Sequence, residues 1–77
     1  MRVRQVSEAE VCGLGEQIKQ ARRASSKSLS TLCDEVGFSS TYWYDIENET
    51  IKGALSIKNL QAIERALETS FEVNVSA

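Results

Sequence analysis

Between Leu29 and Asn48 the apolar residues fall at Leu32, Val36, Phe38, Trp43 and Ile46, with polar residues at most positions between them. The spacing is helical on either side of Gly37 and is interrupted there. It predicts a short amphipathic helix capped by Ser28 and running to Val36, a turn at Gly37, and a second short helix from Ser40 to Asn48. Gly37 stands where a left-handed backbone is needed and a side chain would cost energy. Ser39 follows at once as a cap for the next helix. Cys33 is a small residue at the place where two crossing helices come closest.

The helical period continues on both sides. Val11, Leu14, Ile18 and Ala21 recur at helical spacing and predict a helix that is firm from Leu14 to Ala24. Ser7 and Glu10 form a capping box ahead of it. Gly13 and Gly15 each weaken a helix interior by about 1 kcal/mol, which predicts a frayed or broken first turn. Ser25, Ser26 and Lys27 make a polar turn, and Asn48 to Leu55 reads as a loop with Gly53 as its pivot. Ser56 caps a fourth helix to Leu67, with Leu60, Ile63, Ala66 and Leu67 turned inward.

At the ends the period changes to two. Residues 1–6, MRVRQV, suit a short edge strand or a disordered arm. Ser70 to Ala77, SFEVNVSA, alternates Phe71, Val73 and Val75 and reads as a strand able to pair with Arg2 to Val6. The fold class that follows is all-α: one domain holding a compact four- to five-helix bundle. Its helical core spans 14–69, with an arm or strand at 1–6 and a strand or tail at 70–77. With 77 residues the chain buries only about 60% of its unfolded surface. A homodimer is one remedy for so small a core, through the terminal strand or the fourth helix.

Charge and chemistry narrow the function classes. The net charge of −2 argues against nucleic-acid binding, because phosphate contacts supply most non-specific affinity and need clustered Lys and Arg. A local basic face remains open, since Arg2, Arg4, Lys19, Arg22, Arg23 and Lys27 gather in the first part of the chain, with Lys52, Lys58 and Arg65 beyond. There is no histidine, and Cys12 and Cys33 lack metal-ligand spacing. Zinc binding and histidine-based catalysis are therefore not expected, and neither is any other cofactor. No phosphate-binding glycine loop or nucleophile with a neighbouring base is visible, so the chain does not read as an enzyme. Cys33 falls on an apolar helix face as a buried thiol. No disulfide, signal peptide or apolar run of about 18 residues is seen, which fits a cytoplasmic protein without a membrane span.

Helix, glycine turn and helix at this spacing is what a helix-turn-helix needs, and such a motif holds its second helix out to the DNA major groove. Periodicity alone also allows a plain helical bundle. The chain further resembles the Cro/XRE-type helix-turn-helix domains of phage repressors and bacterial regulators. The resemblance runs through LGEQIKQARR, S-x-x-x-L-C-x-x-x-G-F-S, Y-W-x-x-I-E and L-x-x-I-x-x-A-L, in that order. It spans Leu14 to Phe71, about three quarters of the chain.

The resemblance implies a lambda repressor-like DNA-binding fold that acts on double-stranded DNA, usually as a dimer. Ser40, Thr41 and Asp45 match the residues that face base edges in this family, flanked by Ser39 and Tyr44. Ser28 and Leu29 match the start of the second helix, whose amides touch phosphate in relatives. Arg22 and Glu47 match a partly buried ion pair between the first and third helices. Lys19, Arg22, Arg23, Lys27 and Lys52 are candidate electrostatic supports, and Arg2 and Arg4 either reach a minor groove or belong to a solvated terminus.

The sequence departs from the family pattern at Lys27, usually apolar, and at Trp43, usually a smaller aliphatic. Trp43 and Tyr42 read as core packing, base stacking being the other use of such side chains. The third helix carries Asp45, Glu47 and Glu49 and no Lys or Arg. That acidity motivates a second reading: a protein-interaction module that kept the fold and lost DNA binding.

Overall fold

Segment by segment, local signals decide the helices. The computed structural model describes residues 1–4 and 8–71. In chain order these form β1 (Arg2–Arg4), β2 (Glu8–Glu10), α1 (Leu14–Ala24), α2 (Leu29–Val36), α3 (Ser40–Glu47), β3 (Leu55–Ser56) and α4 (Ile57–Leu67). Three serines cap three helices. Ser28 Oγ accepts from the Thr31 N–H at 3.1 Å, Ser39 Oγ from the Tyr42 N–H at 3.1 Å, and Ser56 Oγ from the Asn59 N–H at 3.2 Å. Gly37 ends α2 at φ 80°, the left-handed conformation the sequence pattern required.

The protein is mostly helical, but it is not all-α. A three-stranded sheet has the order β2-β1-β3, with β1 antiparallel to β2 and parallel to β3. Two sequence expectations are corrected here. Glu8–Glu10, expected as the first turn of a capped helix, is strand β2 and pairs in register with β1, Arg2 opposite Glu10; Ser7 lies outside the described residues. The pairing with β2 and β3 leaves Val3, at the centre of β1, fully buried. The helix then starts after Gly13, whose φ of 73° turns the chain from strand to helix. The second correction is at Leu55, expected as the end of a loop, which pairs with Val3, while Ser56, the expected cap of α4, also pairs with Arg4.

Since β1 has neighbours on both sides at Val3 and Arg4, it is a central strand and not a free arm. It also has no edge left there for the strand expected at 70–77. Phe71 is buried and donates its N–H to a Glu64 carboxylate oxygen at 2.9 Å. Residues 72–77, including Val73 and Val75, lie outside the described residues.

One core joins sheet and helices. Val3, Leu14, Ile18, Leu32, Trp43, Ile46, Leu55, Leu60 and Ile63 have their side chains fully buried in it. α1 packs on α3, and α2 on both α3 and α4. Trp43 is thus a core residue, as its spacing suggested. The inward residues of α4, Leu60, Ile63, Ala66 and Leu67, are all buried in the same core, which leaves Lys58, Gln61, Arg65 and Glu68 outward.

The α-amino group of Met1 fastens the sheet to the end of α3. It donates to the Val11 carbonyl at 3.0 Å and a Glu10 carboxylate oxygen at 3.1 Å, and it meets Glu49 Oε1 at 2.6 Å. The hydrogen bond to Glu49, aided by Glu10 and opposed by burial, raises the amino pKa above its ordinary 8.0. A group whose folded pKa is raised stabilises fully below the unfolded pKa and loses that contribution as pH climbs through the folded one. The urea midpoint of the wild type is therefore expected to fall as the pH rises above about 8. In Glu49→Gln the fall should be shallower. Parallel pH profiles for the two proteins would refute the pairing.

Candidate functional site

α3 turns Trp43, Ile46 and Glu47 into the core. Its outward positions are Ser40, Thr41 and Tyr44, followed by Asn48 at the C-cap, all exposed. Ser40, Tyr44 and Asn48 are spaced by four and so form one row along the helix, with Thr41 beside it. Tyr44 is 47% exposed and leans toward α1, its ring centroid 5.8 Å from the Arg22 guanidinium.

The acidic residues that dominate this segment on paper are turned elsewhere. Glu47, with a side chain 2% exposed, accepts from Arg22 Nε and, at 3.1 Å, from Arg22 Nη2. It also accepts from Trp43 Nε1 at 2.6 Å. The expected pairing of Arg22 and Glu47 between α1 and α3 is thus present, bidentate and joined by the tryptophan. The hydrogen bond to Glu47 holds Arg22 still more firmly protonated. Glu49, at φ 58°, binds the Met1 ammonium and accepts from the Gly15 N–H at 3.3 Å.

Asp45, expected to face base edges, is half-buried and accepts from the Thr50 hydroxyl at 3.3 Å. The Asp45 carbonyl accepts the Thr50 N–H at 2.8 Å, so the chain folds back against it after Asn48. The site residues read from the sequence therefore divide. Ser39, Ser40, Thr41 and Tyr44 share an exposed surface, while Asp45 is tied to the following loop.

Ser28 is exposed and caps α2, its hydroxyl also 3.0 Å from that of Thr31. Leu29 is half-buried against the core. At the starts of α2 and α3, the amides of Leu29, Ser30, Ser40 and Thr41 precede the first amides with partners in their own helix. Such ends carry partial positive charge and suit anions.

Among the basic candidates, Lys27 is spent: its Nζ donates to Glu35 at 3.0 Å and to the Ala66 carbonyl at 2.9 Å. This explains the departure from an apolar residue there, since the ammonium ties the turn before α2 to the end of α4. Arg22 is committed to Glu47. Lys19 stands four residues after Gly15 and three before Arg22, on the side of α1 that meets α3. Arg23, next to Arg22 in α1, and Lys52, five residues beyond α3, are exposed. Asn48 was not among the sequence candidates, although its spacing of four from Tyr44 was a signal for it.

Cys33 is buried, and burial pushes its thiol pKa up, with Asp34 adding to the effect. An inert core thiol results. Cys12 is exposed. Among the described residues no helix is long and apolar enough to cross a membrane. Compared with known proteins, the chain matches no protein-family model, no curated protein and no solved structure.

Proposed function

We propose that the protein is a small sequence-specific DNA-binding regulator of the Cro/XRE helix-turn-helix type, working in the cytoplasm as a homodimer. In this reading α2, the Gly37 turn and α3 are the helix-turn-helix of a lambda repressor-like fold, and residues 40–48 enter the major groove. The observation that carries it is the withdrawal of Asp45, Glu47 and Glu49 from the outer row of α3. A carboxylate in the groove would repel phosphates at every sequence. Here Ser40, Thr41, Tyr44 and Asn48 offer uncharged donors and acceptors instead. Ser28, Leu29 and Ser39 with the helix-end amides take phosphate, and Lys19, Arg23 and Lys52 supply the remaining positive charge.

Three such cations per protomer predict weak binding to random duplex and a log–log salt slope of about −3 per protomer. Fluorescence anisotropy with a labelled random duplex at several salt concentrations measures both. One observation favours the second reading, a protein-interaction module: the exposed row holds an aromatic and no Lys or Arg. Absence of binding at low salt up to high micromolar protein would overturn the DNA reading in its favour.

A further inference from the structure

We propose, resting on the DNA-binding reading, that the outer row of α3 reads A·T base pairs, with Asn48 on adenine and Thr41 and Tyr44 against thymine methyl groups. Guanine is read in the major groove chiefly by Arg or Lys, which donate to O6 and N7 together. No Arg or Lys stands at Ser40, Thr41, Tyr44 or Asn48. The cation beside the row, Arg22, is held by two hydrogen bonds to Glu47. Cytosine is read by a carboxylate accepting from N4. The one carboxylate on the outer half of α3, Asp45, accepts from the Thr50 hydroxyl instead. The cation that would read guanine is therefore withdrawn by a contact within the fold, and the carboxylate that would read cytosine stands off the row with one oxygen on Thr50.

What remains selects the other pair. An exposed Asn presents an acceptor and a donor side by side, the complement of adenine N6 and N7. The Thr41 methyl and the exposed Tyr44 ring are apolar surfaces that suit the thymine methyl. Thr41 and Asn48 are seven residues apart, about 10 Å along a helix axis. That span matches about three base-pair steps at roughly 3.4 Å each, so each protomer reads a short A·T core.

Selection from a duplex library randomised over about 20 base pairs (two half-sites one helical turn apart) tests this. The wild type is expected to enrich duplexes sharing an A·T core of about three base pairs. Asn48→Ala should reduce the preference for adenine over guanine at one position of that core about tenfold to a hundredfold. Its urea midpoint, followed by Trp43 fluorescence, should stay at the wild-type value, because Asn48 is exposed and bonds to α3 through its backbone N–H. Enrichment of G·C cores, or an adenine preference unchanged in Asn48→Ala, would overturn the inference and leave DNA binding standing. No retention of any duplex, in selection or at low salt, would overturn the DNA-binding reading as well.

Discussion

Glu47→Ala is expected to lower stability by about 3–5 kcal/mol. The substitution leaves Arg22 one-fifth exposed with no carboxylate, and it strips the buried Trp43 Nε1 of its acceptor. Removing one partner of a buried pair costs far more than the pair contributes net, because the other partner stays desolvated and unpaired. A chain of 77 residues has roughly 4–12 kcal/mol of stability in all. The variant is therefore expected to lose about a quarter of it at least, seen as a melting point lower by more than about 12 °C. Arg22→Ala combined with Glu47→Ala should lose less than the two single losses added together, since the stranded guanidinium is gone. Additive losses in that cycle, read by urea unfolding, would mean the two side chains are not coupled.

Gly15→Ala is expected to reverse the usual sign of its substitution. In an exposed helix interior, Gly→Ala gains about 1 kcal/mol. Here a Cβ on Gly15 would press on the Glu47 carbonyl oxygen, and it would stand 2.9 Å from that of Ile46 and 2.8 Å from Glu49 Cγ. The Glu49 side chain can move; the carbonyls at the end of α3 cannot without shifting the helix. Overpacking of this kind costs about 1–3 kcal/mol. Separating α1 from α3 would also lengthen the bond from the Gly15 N–H to Glu49 and strain the Arg22–Glu47 pair. A urea midpoint equal to or above the wild type would refute the close approach.

Glycine at this position had looked like a helix weakness in the sequence. Its reason lies in α3, more than thirty positions away, and no local pattern carries it. The helices themselves were legible because their signals are local. α2, α3 and α4 each have a serine cap and an apolar face, and α2 also has its glycine stop. The sheet was not, because its strands are three, three and two residues long and gain their stability from each other. Ser56 shows both cases at once: its capping of α4 was readable, while its pairing with Arg4 was not. At α3 the sequence shows the number of carboxylates but not where they point. That direction is set by Arg22, Met1 and Gly15, distant in the chain, and by Thr50 after a backward turn. Asn48 is not legible for a related reason, since it stands where a helix signal ends and its row with Tyr44 counts only once the helix reaches it.

The parallel pairing of Val3 with Leu55 sets an order of events as the chain is made. β2 emerges soon after β1 and can pair with it at once. The other side of β1 has no neighbour until α1, α2 and α3 have been synthesised and Leu55 follows them. Contacts so far apart in sequence form late, because the loop between them must close first. Until then β1 shows an open row of backbone donors and acceptors, the kind of surface on which two nascent copies can join. Arg2 and Arg4, exposed on either side of Val3, put like charges along that open row and oppose such joining while the chain is unfinished.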